Sequence, residues 1–171
     1  MKGNGQTSVE GSEDTSVEGS VKIAAFDFDG TLAITSFNSK MVLPRDMQCE
    51  DEATRLKHLS DSGYELVIMT NSAEIGIAKK PDARASRVKR KLGRIETFIA
   101  HVNKACGKEL SFHALVATDY DQFRKPSTKD RKRQKEGGTG MWDFLRKQIL
   151  PSSASINLSE SFYVGDAAGR S

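Results

Sequence analysis

The chain has 171 residues, 37% hydrophobic and 29% charged, enough for one domain with a sizeable core. Its apolar runs are only a few residues long, which excludes a membrane-spanning helix, and its start, MKGNGQTSVEG, has neither the apolar stretch of a secretory signal nor the arginines of a transit peptide. The net charge of +3 is uneven: residues 1–20 set Lys2 against Glu10, Glu13, Asp14 and Glu18, so the remainder of the chain carries +6.

In chain order, residues 1–20 hold the string TSVEGS twice, at Thr7–Ser12 and Thr15–Ser20, and are too polar to bury a core. They read as a disordered acidic tail, with the folded part, 21–171, starting near Val21. Val21–Phe26 predicts a strand. Glu50–Ser62 predicts a helix with Ala53, Leu56 and Leu59 on one side and Gly63 as its cap. Tyr64–Thr70, YELVIMT, predicts a second strand. A long helix is predicted from Pro81 to Gly107, with Val88, Leu92, Ile95, Ile99 and Val102 as its apolar face. FHALVAT, Phe112–Thr118, predicts a third strand. Met141–Leu150 predicts a helix stopped by Pro151, burying Trp142, Leu145 and Ile149, and SFYVGD a fourth strand. Apolar strands separated by amphipathic helices imply α/β architecture with a doubly wound parallel sheet. Ligands then bind beyond the carboxyl ends of the strands.

Cys49 and Cys106 fit no metal-ligand spacing and read as reduced thiols. Basic charge gathers in Lys79–Arg94, eight cations against Asp82, and in Arg124–Lys135, seven against Asp130. Either an anionic partner such as nucleic acid or a solvated helix face and loop accounts for this.

The first strand ends in Asp27-Phe28-Asp29-Gly30-Thr31. Residues two apart in extended chain point the same way, so both carboxylates can face one site while Phe28 packs inward. Two carboxylates this close repel unless a cation or a shared proton intervenes. A hard divalent metal, Mg²⁺ in particular, answers that need. Alternatively, one carboxylate serves as nucleophile and the other handles protons, and a metal permits both uses at once. A solvated Asp-Gly turn is the blander reading. The second strand ends in Thr70-Asn71, a hydroxyl followed by backbone N–H groups that suit a phosphate. Arg124-Lys125-Pro126 follows the third strand, where Lys125 would neutralise a phosphoryl group, and Gly165-Asp166 ends the fourth, adding a carboxylate for the same metal. Together the four ends describe one phosphoryl-transfer site.

DFDGTL, MTN, RKP and GDAAGR resemble the four motifs of the haloacid dehalogenase (HAD) superfamily of phosphohydrolases. More narrowly, GYELVIMTN, ALVATDYDQFRKP, TGMWDFL and FYVGDAAGR resemble the phosphatase domain of the polynucleotide kinase 3′-phosphatases, over Val21 to Arg170. The resemblance implies a HAD-type, Rossmann-like three-layer α/β/α fold without a substantial cap domain. It implies Asp27 as nucleophile, Asp29 as general acid and base, and Thr70 and Lys125 as phosphate-holding catalytic residues. Thr31, Asn71 and Arg124 would bind substrate. Asp27, the main-chain carbonyl of Asp29 and Asp166 would hold Mg²⁺. The implied reaction is removal of 3′-phosphate from DNA strand-break ends, in the nucleus or a DNA-containing organelle, by a monomer working beside other strand-break repair proteins.

The sequence departs from that pattern in three places. STKDRKRQKEGG, within 127–138, interrupts the step from Lys125-Pro126 to Thr139-Gly140-Met141-Trp142 and reads as a basic loop that grips DNA, a nuclear-targeting string, or a solvated loop. Thr70-Asn71-Ser72 stands where the family has Thr-Asn-Gln and a Gly-Ile-Gly-type loop. The family continues well past the position of Ser171, so a C-terminally truncated core with an uncovered fourth strand is expected. No Gly-x-x-x-x-Gly-Lys-Ser/Thr string occurs, so no kinase activity is expected. Two other functions are compatible with the sequence: a HAD phosphatase of a small ester such as histidinol phosphate or a sugar phosphate, and a truncated, inactive protein that binds DNA ends.

Overall fold

In the computed structural model of the chain, residues 20–34, 39–49, 51–125 and 138–166 are described. All of the acidic tail except Ser20, which opens the first strand, and all of the basic insertion except Gly138 lie outside them. Five strands form one parallel sheet: β1 (Ser20–Phe26), β2 (Tyr64–Asn71), β3 (Phe112–Ala117), β4 (Ser155–Ile156) and β5 (Phe162–Val164). β2 separates β3 from β1, with Lys22 opposite Tyr64 and Leu66 opposite Phe112. The other side of β1 is shared. β4 pairs with its start, Ser20 to Ser155, and β5 with its end, Ala24 to Phe162 and Phe26 to Val164. Because every ladder is parallel, all the carboxyl ends lie along one edge.

The period-two alternation of the strands divides the core. Ala24, Phe26, Leu66 and Ile68 face one layer, where they meet α1 (Glu52–Asp61) and α3 (Pro81–Cys106). Ile23, Ala25, Val67 and Met69 face the other and meet α4 (Gly140–Phe144) with the π-helical turn Leu145–Ile149. The result is the expected three-layer α/β/α architecture. Between Asp27 and Asp51 the described residues hold a turn and a single 3₁₀ turn, Pro44–Asp46, and no cap domain.

α3 starts with Pro81 in its first turn and ends at Gly107, whose φ of 65° is the left-handed conformation of a helix C-terminus. Its buried face is Lys91, Arg94, Ile95, Phe98 and Val102. The expected face was rotated from this one in the first half of the helix: Leu92 is 44% exposed. Phe98 sets the true register, meeting Phe28 edge to face at 5.7 Å, and each of these fully buried rings contributes about 1.5–3 kcal/mol.

Two further differences appear around the last strands. The predicted helix Met141–Leu150 is α-helical only to Phe144; the Leu150 N–H then donates to the Leu145 carbonyl at 3.0 Å, a five-residue step that puts Met141 and Leu145 in the core and leaves Trp142 half-buried. β4 is too short to show as a pattern. The fourth predicted strand is β5, which lies beside β1 as expected, with Phe162, Tyr163 and Val164 each more than a third exposed. Cys49 and Cys106 are both free thiols.

Candidate active site

The carboxyl edge of the sheet gathers the acidic and basic side chains of the strand ends. Asp27 continues the β1–β5 ladder, its N–H donating to the Val164 carbonyl at 2.8 Å. Its Oδ1 accepts from the Phe28 N–H at 2.7 Å and lies 2.9 Å from Lys125 Nζ. The backbone then turns sharply. Gly30 has a φ of 84°, which a side chain rarely adopts, and its N–H donates to the Ala33 carbonyl at 2.7 Å. A Cβ at Gly30 would stand 3.3 Å from the Asp166 carboxylate, so this glycine also keeps room for that group. Thr31 fixes the same contact from the other side, its Oγ1 accepting from the Asp166 N–H at 2.9 Å.

Asp29 faces a different set of cations from Asp27. β1 ends at Phe26, so the alternation of extended chain does not carry through the turn. Asp29 Oδ2 accepts from Lys91 Nζ at 2.6 Å and Oδ1 from Arg94 Nη2 at 3.1 Å. Both cations come from α3 and are buried, 5% and 2% exposed. Each aspartate therefore has its own lysine, and their mutual repulsion is met by three cations, Lys91 and Arg94 from α3 and Lys125 from the loop after β3.

Thr70 is buried at the end of β2, and its Oγ1 accepts from the same Lys91 Nζ at 3.0 Å. With the lysine on the oxygen, the hydroxyl proton is turned elsewhere, as a phosphate donor requires. Asn71 holds the neighbouring loop: its Oδ1 accepts from the Lys125 N–H at 3.0 Å. The exit of β2 is tied down further. The Ser72 N–H donates to the Ala117 carbonyl and the Gly76 N–H to the Thr118 carbonyl, both at 2.7 Å, and a Cβ at Gly76 would lie 2.4 Å from that Thr118 oxygen. The Ser72–Gly76 segment, where the sequence leaves the family pattern, is thus a short helical turn, α2 (Ala73–Gly76), closed onto the end of β3.

Lys125 Nζ also donates to the Tyr163 hydroxyl at 2.5 Å and lies 5.0 Å from the centre of that ring. Burial pulls the Lys125 ammonium below its usual range, opposed by the Asp27 carboxylate. Burial, with the Asp27 and Asp166 carboxylates nearby, pushes the Tyr163 hydroxyl well up, so it keeps its proton. Arg124 lies over the Tyr120 ring, 4.6 Å from its centre, on the loop leaving β3.

The structure thus brings Asp27 into contact with Lys125, Lys125 with Asn71, and Asp166 with Thr31, and Lys91 joins Asp29 to Thr70. Arg124 stacks on its own loop. The sequence reading missed Lys91, Arg94 and Tyr163. The signal for the first two was Phe98: a face drawn through Phe98 and Ile95 passes through Arg94 and Lys91.

The donors suit a hard cation. Two carboxylates, Asp27 and Asp166, with the Asp29 carbonyl offer oxygen only, and the glycine at position 30 leaves space beside the Asp166 carboxylate. Mg²⁺ commonly takes one or two protein carboxylates and completes its shell with water and phosphate oxygens. Among the described residues no three His, Cys, Asp or Glu side chains are grouped as a metal site, so the side chains of Asp27, Asp29 and Asp166 do not form one by themselves.

Comparison with known proteins bears on the family and the fold. Residues 22–171 match the family described as polynucleotide kinase 3 phosphatase. The chain is 40% identical over 150 residues to an uncharacterized 20.8 kDa protein of Autographa californica nuclear polyhedrosis virus, covering 87% of this chain and 68% of the relative. It is 36% identical over 163 residues to the polynucleotide 3′-phosphatase ZDP of Arabidopsis thaliana, covering 92% of this chain and 21% of that protein. Among solved structures, a HAD-like phosphatase from Mesorhizobium loti shares the fold, with a TM-score of 0.55 at 15% identity over 86% of this chain and 64% of that one. With the match running from Lys22, in β1, to the last residue of the sequence, the chain belongs to the polynucleotide kinase 3 phosphatase family.

Proposed function

We propose that the chain is a Mg²⁺-dependent phosphomonoesterase that removes 3′-phosphate from DNA strand-break ends. The observation that carries this reading is the Asp27–Lys125 pair, 2.9 Å apart at the carboxyl edge of the sheet, with the Lys125 N–H fixed by Asn71, the residue after Thr70. Asp27 supplies the nucleophile: its carboxylate oxygen bonds to phosphorus as the bond from phosphorus to the 3′-oxygen breaks. Asp29, which takes up a proton as the phosphate enters, gives that proton to the leaving oxygen and is left as the carboxylate paired with Lys91 and Arg94. In the second half it takes a proton from water, whose oxygen attacks the aspartyl-phosphate, releasing inorganic phosphate and restoring Asp27. Thr70 donates to the phosphate, and Lys125 offsets its charge. Held by Asp27, Asp166 and the Asp29 carbonyl, Mg²⁺ would neutralise the charge of the phosphoryl oxygens.

A polynucleotide substrate is favoured by the position of α3. Lys91 touches Thr70 near the end of β2, so residues 81–90, about 15 Å of helix, stand beyond the carboxyl edge. This segment exposes Arg84 and Lys89, with Lys79 and Lys80 just before it, beside a shallow groove floored by Val88 and Leu92. Such a basic wall suits the phosphate backbone of a strand leading to its end. The open site without a cap suits a macromolecular end as well. Work at breaks in nuclear or organelle DNA, beside other repair proteins, belongs to the same proposal.

The test is phosphate release from a 3′-phosphorylated oligonucleotide with Mg²⁺, against histidinol phosphate and a sugar phosphate. DNA ends should be the preferred substrate, and Asp27→Asn should lower turnover by at least about 10³-fold. Hydrolysis surviving Asp27→Asn, or faster turnover of the small esters, would remove this reading.

A further inference from the structure

We propose that Lys91 and Arg94 are the positioning residues of Asp29, a two-cation clamp delivered by α3 that fixes the proton-transferring carboxylate beside the phosphate site. The inference rests on the reading of Asp29 as the acid and base of a phosphatase. It arises from the geometry of α3. Residues three apart share a helix face, and these two reach the same carboxylate, one oxygen each, at 2.6 and 3.1 Å. Arg94 Nη2 is anchored a second time, donating to the Ile34 carbonyl at 2.9 Å. The face of the Phe28 ring lies beneath both cations, 5.2 Å from Lys91 Nζ and 5.7 Å from the Arg94 guanidinium.

Stability does not explain this arrangement. Burying two cations against one carboxylate carries a large desolvation cost, and well-packed apolar side chains in their place are often neutral or stabilising. Arg94 adds to that cost: its Nε and Nη1 are buried without a hydrogen-bond partner among the described residues. What the clamp does provide is a carboxylate that cannot rotate. Proton transfer to a leaving oxygen needs the acid held within hydrogen-bond reach, and misplacement by about 1 Å is enough to lose the advantage of a fixed geometry.

The two cations differ in one respect. Lys91 also reaches Thr70 Oγ1, whereas Arg94 contacts Asp29 and the Ile34 carbonyl. Arg94 therefore acts through Asp29 alone, and Lys91 links Asp29 to the residue that holds the phosphate. Neither cation gives or takes a proton in the reaction.

The test compares two leaving groups on the full chain: a 3′-phosphorylated oligonucleotide, whose alkoxide needs a proton, and p-nitrophenyl phosphate, whose phenolate leaves without one. Arg94→Met should lower kcat/KM, which reports only the leaving-group half of the reaction, about tenfold or more on the oligonucleotide and less than about threefold on the aryl ester, since the Asp29-assisted hydrolysis of the aspartyl-phosphate is common to both. Lys91→Met should show the same contrast in kcat/KM, with an added loss common to both substrates through Thr70. In an Asp29→Asn background Arg94→Met should cost nothing more, because the group it positions is already disabled. Arg94→Lys should recover part of the oligonucleotide rate, and it keeps the test open if the methionine variant fails to fold. Equal losses on both substrates, or a further loss on top of Asp29→Asn, would assign the pair a merely structural role and overturn the clamp. Retained activity in Asp27→Asn would instead overturn the phosphatase reading itself, so the two failures are distinguishable.

Discussion

The two aspartates of the first strand end lie two residues apart, yet the fold hands them to different neighbourhoods. Asp29 turns toward α3, where Lys91 and Arg94 are buried on a long helix packed along the sheet. Asp27 turns toward the loop after β3 and the edge strand β5, where Lys125 is held by Asn71 below and Tyr163 beside it and keeps 18% of its side chain exposed. The helix side is rigid and costly, and it suits a carboxylate whose orientation must be fixed. The loop side leaves its lysine partly open, and it suits a cation that must meet an incoming phosphate. Two like charges placed close together are thus kept apart in role by where their counter-charges come from.

The sharpest way to break this contrast is Lys125→Met. If Lys125 serves the phosphate and not the leaving group, its loss should lower kcat/KM about 10²–10³-fold on the oligonucleotide and on the aryl ester alike. A loss confined to the oligonucleotide would place Lys125 with Asp29 in proton transfer and erase the distinction between the two sides.

The helix side also carries an acid with no part in the chemistry, and it separates stability from activity. Glu52, in the first turn of α1, is buried, and its Oε2 has no hydrogen-bond partner among the described residues. Burial pushes its carboxyl from 4.5 to about 7, against the opposing pull of the Gln48 and Cys49 backbone. A carboxyl raised on folding favours the native state most below its unfolded value. Stability should therefore fall between about pH 4.5 and pH 7 and level off above, by roughly 3 kcal/mol in all. Glu52→Gln, equal in size and always neutral, should remove that fall and raise the melting temperature at pH 8 by roughly 5–10 °C, leaving kcat and KM unchanged. Thermal unfolding at pH 5 and pH 8 reads it directly, and a slope that persists in the variant would clear Glu52 of the effect.

The parts of this arrangement that were legible in the sequence are those with a short period. Three strands are apolar runs closed by chemistry-bearing residues, so Asp27, Thr70 and Lys125 could be placed at strand ends from alternation and order alone. The helix face could not be placed that way. Val88 and Leu92 drew the expected face of α3, but the helix outruns the sheet, and beyond the edge its apolar residues have nothing among the described residues to cover them. There the inward positions fall to Lys91 and Arg94, which look like surface charge until the site is present to receive them. The switch to a π turn after Phe144 and the two-residue β4 are set by how the chain returns to the β1 edge, a constraint that no local pattern records.

Tyr163 gives the smallest expected effect and the finest reading of the loop side. It stands on β5 opposite Ala25, which directs it to the same face of the sheet as the residues around α4 and over Lys125. Its hydroxyl accepts from Nζ at 2.5 Å while its ring lies 5.0 Å from the same nitrogen. Tyr163→Phe removes the first contact and keeps the second. A hydrogen bond to a charged group is worth about 1.5–3 kcal/mol, at the low end for an ammonium that is partly exposed and keeps its Asp27 partner, so kcat/KM should fall only about tenfold, and equally on both leaving groups. The ring alone should then hold Lys125 near Asp27. A loss as large as that of Lys125→Met would mean that the hydroxyl, and not the Asn71-fixed loop, sets the position of the lysine, and the loop side would prove to be as tightly built as the helix side.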